Sequence, residues 1–223
     1  MLWRGMNKMP KSTFFHLSEE KQLRLLEAAS IEFSRVALKE ASIANIVKLA
    51  EIPRGSFYQY FEDKEDLYYY YFDLLSQDRK SEITKCVQES DGDLFDGMEN
   101  YFSKFALEVL SGPHAGFYKH FYMENDYRSM VRISPELQTI KKKSEKSQKK
   151  RHGHQLYNLI DRSKLKIADE KEFKMVMEIL MNIVFTSIVE GYQKDDDSLK
   201  KDSNEIINDF KIKLNWIKNG LSK

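Results

Sequence analysis

Apolar residues recur at helical spacing along much of the chain, and two short stretches between residues 42 and 61 carry the sharpest pattern. The first stretch has apolar residues spaced by three, four and seven positions, at Ile43, Ile46, Val47 and Ala50. Pro53 ends this helix, because its ring disfavours helical geometry at the preceding residue and removes a backbone donor. A second helical pattern follows, with Phe57 and Phe61 on one face. Two short helices joined by a tight turn are a helix-turn-helix.

The second of these helices carries polar side chains of the kinds that bind DNA. In the major groove arginine pairs with guanine, glutamine with adenine and serine with either base type, so we expect base contacts from Arg54, Gln59 and Ser56. Tyrosine and lysine suit phosphates, which position a protein without reading sequence. The predicted DNA-binding set is Ser42, Arg54, Gly55, Ser56, Tyr58, Gln59, Tyr60 and Lys64. Periodicity alone leaves open that the aromatic residues here are only the core of a helical bundle.

The residues at 46–50, 54–61 and 64–67 together resemble the DNA-binding signature of the TetR (tetracycline repressor) family. The glycine, the tyrosine, the phenylalanine and the Lys-x-x-Leu all fall at the spacing of that family. Two positions depart from it. Glu51 stands where the family usually has glycine in the turn, so the turn must bend without that freedom. Pro53 replaces the usual Ser or Thr cap of the recognition helix.

The resemblance implies an all-α fold with an N-terminal three-helix helix-turn-helix domain for DNA binding and a C-terminal helical bundle for ligand binding and dimerisation. We place the DNA-binding domain at residues 16–63 and the C-terminal domain at 64–223, with a connector helix at 64–87. Residues 1–15 are expected to form a flexible arm, and the alternative is that Arg4, Lys8 and Lys11 in it reach along DNA. Ser18 is expected to cap the first helix. The predicted inward face of that helix is Leu23, Leu26, Ala29, Ser30 and Phe33.

Two wide apolar stripes, at 175–188 and 206–221, repeat at helical spacing near the C-terminus. In proteins of the family that this chain resembles, the final two helices pair with their copies in a four-helix dimer interface. A hairpin buried within one chain is the alternative, although two such stripes exceed what one hairpin needs. The predicted dimer interface is Val176, Ile179, Ile183, Val184, Ile207, Phe210, Leu214 and Ile217.

Aromatic and methionine side chains are frequent in the predicted C-terminal helices, and methionine adapts to irregular cavities. We therefore predict a pocket for a small apolar effector inside the C-terminal bundle, with tyrosine or histidine at its polar end. A dry aromatic core is the alternative. The predicted ligand-binding residues are Tyr101, Phe102, Phe105, Phe117, Tyr118, His120, Phe121, Met177, Met181 and Phe185.

Composition narrows the class of protein. The 36 Lys and Arg residues nearly balance 35 Asp and Glu residues, so a DNA-binding face must be a local feature. The basic run at 141–151 is interpreted as an exposed helix face or a mobile connection. Cys86 is the single cysteine, which excludes an internal disulfide. No apolar run approaches the roughly 20 residues that cross a bilayer, and the N-terminus lacks a signal-peptide core, so we expect a cytoplasmic protein.

The favoured hypothesis is a homodimeric, ligand-responsive transcription factor, most simply a repressor that leaves a pseudo-palindromic DNA operator when its effector binds. An enzyme is the main rival class, but the sequence has no HExxH, CxxC or Gly-rich phosphate loop and no inferable Ser-His-Asp or Cys-His set. The histidine spacings suit no metal pair, so neither a metal nor a cofactor is expected. A constitutive DNA-binding or adaptor protein with no effector is the third alternative.

Overall fold

The computed structural model describes residues 10–77, 79–125, 156–193 and 202–221. The all-α prediction is confirmed, because these ranges contain helices and no strand. In chain order the helices are α1 (Ser12–Phe15), α2 (Glu19–Arg35), α3 (Ile43–Leu49), α4 (Arg54–Tyr60), α5 (Lys64–Ser76), α6 (Arg79–Glu89), α7 (Leu94–Ser111), α8 (Ala115–Glu124), α9 (Glu170–Tyr192) and α10 (Ser203–Leu221). They belong to two compact units, each with its own core.

The first unit contains the described residues up to Gln77 together with Gly116–Phe121 of α8. Within it, α2 packs against α3 and α5, and α4 packs against α1 and α3. Helices α2, α3 and α4 are the three helices of the predicted helix-turn-helix domain. Aromatic rings fill the core, where Phe72 stacks on Phe121 with ring centroids 3.9 Å apart.

The inward face of α2 differs from the predicted one. Leu23 is 59% exposed, and the buried residues of the helix are Leu25, Ala28, Ala29, Glu32 and Phe33. The predicted and observed faces share Ala29 and Phe33, but the predicted face contains no charged residue and so leaves out Glu32. Glu32 is only 1% exposed, so the true inward stripe contains a carboxylate.

The first described residues form part of the core of this unit. Phe14 in α1 is fully buried, with its ring centroid 5.2 Å from that of Phe61 and 5.5 Å from that of Tyr70. The prediction of a flexible arm is therefore wrong for residues 10–15, because the aromatic side chain of Phe14 finds partners far along the chain. The remainder of the predicted arm lies outside the described residues.

In the second unit, α7 is the central helix and packs against α6, α9 and α10. It begins after Asp93, whose carboxylate accepts the N–H groups of Phe95 and Asp96 at 2.9 and 3.0 Å. Gly92 in the turn before α7 has a φ of 75°, and a Cβ there would lie 2.8 Å from the carbonyl oxygen of Leu159. Only glycine fits this position.

The predicted connector helix at 64–87 is two helices in the structure, because α5 ends at Ser76 and α6 begins at Arg79. The start at Lys64 agrees with the prediction, and Asp63 caps it by accepting the N–H of Asp66 at 2.8 Å. The boundary between the two compact units lies after Gln77, whereas the predicted domain boundary lies after residue 63. Helix α5 belongs to the first unit because its rings pack into the aromatic core there.

Some predictions concern residues outside the described ranges, among them the basic run at 141–151. Within those ranges, no helix is both long enough and apolar enough to span a bilayer.

Candidate nucleic-acid interface

The turn between α3 and α4 is a helix C-terminal motif centred on Glu51. The N–H of Ile52 donates to the carbonyl of Val47 at 3.0 Å. The N–H of Glu51 donates to the carbonyl of Lys48 at 3.3 Å. This pair of bonds is a Schellman motif, which places a left-handed residue just beyond the helix. Glu51 is that residue, with a φ of 55°, so it adopts the backbone conformation that glycine adopts at least cost.

Both helices of the motif begin without a side-chain cap. Ser42 and Pro53 are the N-cap residues of α3 and α4, but neither side chain accepts a hydrogen bond there. Ser18 is the N-cap residue of α2, as predicted, but its side chain also accepts no hydrogen bond there. Ser42 is instead fixed through its backbone N–H, which donates to the carboxylate of Glu32 at 2.8 Å.

Six of the eight residues predicted to contact DNA belong to α4, and none of the six is buried. Phe57 and Phe61 are fully buried on its other side, with ring centroids 5.9 Å apart. The exposed residues of α4 are Arg54, Gly55, Tyr58 and Gln59, and the partly buried ones are Ser56 and Tyr60. The alternative that all these aromatic residues are core fails for Tyr58, which is 42% exposed.

Gly55 has open space around it. A Cβ built on this residue would meet no atom within 4 Å, so packing within the described chain does not require glycine here. Glycine in a helix costs about 1 kcal/mol relative to alanine. Gly55 therefore lowers the stability of α4, although packing does not require a glycine at this position.

Lys64, predicted to bind a phosphate, has partners within the protein. Its ammonium donates to the carbonyl oxygens of Lys39 and Ala41 at 2.7 and 2.9 Å. A lysine ammonium has three donors, so one donor is left for a phosphate oxygen. The sequence pattern did not predict these two hydrogen bonds, because the carbonyls belong to a loop more than twenty residues away along the chain.

Glu32 is a buried carboxylate that ties α2 to the start of α3. It accepts from both Nη2 and Nε of Arg35, at 2.9 and 3.1 Å, and from the amide of Asn45 at 3.2 Å. Burial of the carboxylate raises its pKa, but the hydrogen bonds from Arg35, from the N–H of Ser42 and from Asn45 outweigh that effect and hold the pKa below its ordinary value of 4.5. Nothing in the periodicity of α2 identified this residue.

The C-terminal end of α4 is covered by the segment that precedes α2. The ammonium of Lys11 donates to the carbonyl of Tyr58 at 2.8 Å, and its backbone N–H donates to the carbonyl of Tyr60 at 2.8 Å. The hydroxyl of Thr13 donates to the carbonyl of Gln59 between them. Sequence reading assigned this segment to a flexible arm and found none of these contacts.

The predicted ligand-binding residues do not gather within one unit. Phe117, Tyr118, His120 and Phe121 belong to the first unit. There Phe117 lies 5.0 Å from both Tyr68 and Tyr71, measured between ring centroids, so these rings form the aromatic core. Phe102 is fully buried in the second unit and stacks on Phe210 at 3.8 Å. The ring contacts of Phe102 and Phe117 are those expected of an aromatic core, while their role in ligand binding stays a prediction.

The other predicted ligand-binding residues lie in the second unit, where one of them, Phe105, lies beside a cation that the prediction omitted. Tyr101 and Phe105 stack with ring centroids 5.5 Å apart, and the guanidinium of Arg79 lies 4.9 Å from the centroid of the Phe105 ring. Tyr122 lies 5.5 Å from Phe185. Burial raises the pKa of the Tyr122 phenol, while the charge of Arg79 and a hydrogen bond with it act in the opposite direction. The remaining pair, Met177 and Met181, is buried and partly buried respectively.

The predicted dimer interface mixes two faces of the last two helices. Half of its members are buried within the single chain, namely Val176, Val184, Phe210 and Leu214. Ile179 is 51% exposed, whereas Ile183, Ile207 and Ile217 are partly buried. The prediction left out three other exposed apolar residues, which are Met175 on α9 and Ile212 and Trp216 on α10. In the described ranges, no cluster of three or more His, Cys, Asp or Glu residues forms a candidate metal site.

Two family models match this chain. The model for bacterial regulatory proteins of the tetR family matches residues 25–72, and the model for the tetracyclin repressor-like C-terminal domain matches residues 93–221. Among curated proteins, an uncharacterized HTH-type transcriptional regulator of Bacillus subtilis, YhgD, is 27% identical over 74 residues. That alignment covers 33% of this chain and only 39% of the relative.

Solved structures share the fold at low identity. SmeT, the repressor of the Stenotrophomonas maltophilia multidrug efflux pump SmeDEF, matches with a TM-score of 0.62 and 12% identity over 92% of this chain and 93% of its own. RolR in complex with resorcinol matches with a TM-score of 0.58 and 14% identity over 89% and 87%. Because the C-terminal family model alone covers more than half of the 223 residues and the N-terminal model covers the helix-turn-helix, this chain belongs to the TetR family of bacterial regulatory proteins.

Proposed function

We propose that this chain is a homodimeric transcriptional repressor that binds a pseudo-palindromic DNA operator and releases it when a small molecule binds. The observation that carries the proposal is the surface of α4. Arg54, Tyr58 and Gln59 are exposed together on a helix whose opposite face is fixed by two buried phenylalanines. That geometry suits insertion into a major groove, with Arg54, Ser56 and Gln59 at base edges and Tyr58, Tyr60 and Lys64 at phosphates.

Dimerisation is proposed because one seven-residue recognition helix contacts too few bases for useful affinity. The exposed apolar residues of α9 and α10 supply a surface for a second copy: Met175 is 52% exposed, Ile179 is 51% exposed and Trp216 is 70% exposed. Isolated exposed apolar residues are common on protein surfaces, but three of this size on two adjacent helices favour an interface. An isologous interface would place two recognition helices on successive half-sites.

The effector is proposed to bind in the second unit, near Tyr101, Phe105 and Phe185. These rings offer an apolar wall, and Arg79 with Tyr122 offers a polar end. The related structures favour small aromatic or drug-like molecules, since RolR carries resorcinol and SmeT represses a multidrug efflux pump. A bound effector shifts the equilibrium between DNA-binding and released states by its difference in affinity for the two.

DNA binding is tested with a gel shift against the region upstream of the protein's own gene, followed by selection from a randomised library. Gln59→Ala should relax preference at one position of each half-site, costing about 1–3 kcal/mol there. Lys64→Ala should weaken all sequences alike and reduce the salt slope by about 0.9. A Gln59→Ala protein with unchanged preference, beside a Lys64→Ala protein with altered preference, would contradict these assignments.

The effector response is tested by screening aromatic compounds for release of the DNA complex. Met181 lies one helical turn before Phe185 on α9, so Met181→Trp should block release while DNA binding persists. The matched control is Met123→Trp, which places the same ring at a methionine that is 46% exposed. If no compound releases the complex and both variants behave like the unmodified protein, the constitutive DNA-binding alternative is favoured.

A further inference from the structure

The C-terminal end of the recognition helix α4 is held by the residues just before α2. The last carbonyls of a helix have no partner within the helix, and here three successive ones are occupied. Tyr58 O accepts from the ammonium of Lys11, Gln59 O from the hydroxyl of Thr13, and Tyr60 O from the backbone N–H of Lys11. A cation at this end also complements the helix dipole.

The same segment is anchored in the core independently of these bonds. Phe14 is fully buried and contacts Phe61, the residue that ends α4, as well as Tyr70 of α5. Residues 11–13 are therefore held beside α4 even when one polar contact is removed. Lys11, Ser12 and Thr13 are themselves exposed, so their side chains can be changed without opening the core.

Helix α4 needs this support because it is seven residues long, and isolated helices shorter than about 12 residues are marginal in water. Its N-cap residue, Pro53, supplies no side-chain bond. Gly55 lowers its helix propensity further. The carbonyls that the segment engages belong to Tyr58 and Gln59, two of the residues whose side chains form the exposed DNA-facing side.

We propose that Lys11 and Thr13 are positioning residues for DNA recognition. They fix the last turn of α4 and do not contact bases themselves. They thereby set the direction in which the side chains of Tyr58 and Gln59 project from the helix. The inference rests on the proposed function, since the site being positioned is the proposed DNA-binding face. It assigns a role to a part of the chain that lies before the helix-turn-helix.

The test uses the full-length protein with Lys11→Met, Thr13→Val and the double variant. Matched controls are Lys21→Met, an exposed lysine of α2, and Ser12→Ala, the hydroxyl next to Thr13. Without DNA, amide hydrogen exchange at residues 57–61 should quicken about threefold to tenfold in the test variants, because a lost hydrogen bond of this kind costs about 1 kcal/mol. The controls should leave this exchange unchanged.

With the selected operator, Lys11→Met should lower affinity about threefold to tenfold and weaken discrimination at the base read by Gln59, with the salt slope unchanged. Lys11→Arg keeps a cationic donor and should restore most of the loss. Unchanged exchange and unchanged affinity would overturn the proposal. A salt slope lower by about 0.9 with normal exchange would also overturn it, because Lys11 would then bind a phosphate directly. If the unmodified protein selects no DNA sequence, the proposed function fails, while the exchange result still decides whether the segment holds α4.

Discussion

The residues predicted to bind DNA and those predicted to bind a ligand or a second copy differ in polarity and in exposure. In the first unit the residues predicted to bind DNA are mostly polar and none of those on α4 is buried, and the buried Phe57 and Phe61 hold them in place. In the second unit the nominated residues were apolar, and many of them, such as Phe102 and Phe210, are core. A polar residue on an amphipathic helix is favoured on the solvent-exposed side. An apolar residue can serve in a binding surface or in the core of its own chain, and its spacing does not distinguish the two.

Helix α9 illustrates the difficulty. One stripe at four-residue spacing, comprising Val176, Leu180, Val184 and Ile188, is buried. A second stripe at the same spacing begins with Met175 and Ile179, both about half exposed. Both stripes are apolar, so periodicity cannot say which one packs on α7. The choice is made by partners that are distant in the sequence.

The largest expected effect distinguishes the buried face of α10 from its exposed face. Phe210 is fully buried against Phe102, so Phe210→Glu buries an unpaired charge and should cost about 4 kcal/mol or more, unfolding the second unit. Trp216 is 70% exposed, so Trp216→Glu should leave the chain folded but monomeric. Circular dichroism and sedimentation measure the two outcomes. A folded Phe210→Glu monomer, or a Trp216→Glu dimer of normal affinity, would reverse this assignment of faces.

The second prediction tests Glu32, a buried carboxylate in the first unit that the sequence did not predict. Glu32→Gln removes the negative charge that the donors of Arg35, Ser42 and Asn45 share and replaces one acceptor oxygen with an NH2 donor, so it should destabilise that unit by about 1–3 kcal/mol near neutral pH. Because the pKa of Glu32 is lowered by folding, its contribution is complete above pH 4.5 and is lost as the pH falls through the folded pKa.

Urea unfolding between pH 3 and pH 7 checks this. The difference between the unmodified protein and Glu32→Gln should shrink below about pH 4.5. Glu27→Gln, at an exposed carboxylate of the same helix, is the control and should show no such trend. A pH-independent difference would mean that Glu32 stabilises by shape rather than charge.

The sequence predicted the helix-turn-helix well because its signals are local. Pro53 interrupts the first helix, Phe57 and Phe61 fix one face, and Lys64 begins the next helix, all within about twenty residues. It failed for Glu32, Lys11 and the partners of Lys64 for one shared reason. Each makes polar contacts with residues distant in sequence, and periodicity carries no information about such partners.

The third prediction compares a glycine from each unit. Gly97 lies against α6, where an added Cβ would be 2.7 Å from the Cα of Val87, so Gly97→Ala should cost about 1–3 kcal/mol of stability. Gly55 has open space, so Gly55→Ala should stabilise α4 by about 1 kcal/mol and yet weaken operator binding. Unfolding curves and gel shifts on both variants measure this. Weaker binding would mean that DNA comes close to the backbone at Gly55, where an added methyl group would hold it away, whereas normal operator affinity in Gly55→Ala would contradict such an approach.

The smallest effect concerns the strained turn between α3 and α4. Glu51 has a φ of 55°, which costs an L residue about 1 kcal/mol relative to glycine. Its carboxylate also pairs with Arg24 at 3.2 Å, but this exposed pair contributes at most about 1 kcal/mol. Glu51→Gly relieves the strain and loses the pair, while Glu51→Ala keeps the strain and loses the pair. The glycine variant should therefore be more stable than the alanine variant by about 1 kcal/mol in urea unfolding.

This pair of variants isolates the backbone from the side chain, because both lack the carboxylate. Arg24→Met in the otherwise unmodified protein measures separately how much the ion pair contributes to the free energy of unfolding, since it removes the guanidinium and leaves the turn intact. Operator affinity should change little in all three, because Glu51 belongs to the turn and not to the exposed side of α4. Equal stability of the glycine and alanine variants would show that Glu51 holds its left-handed conformation without strain, and the Schellman bonds of Ile52 and Glu51 would then account for the turn by themselves.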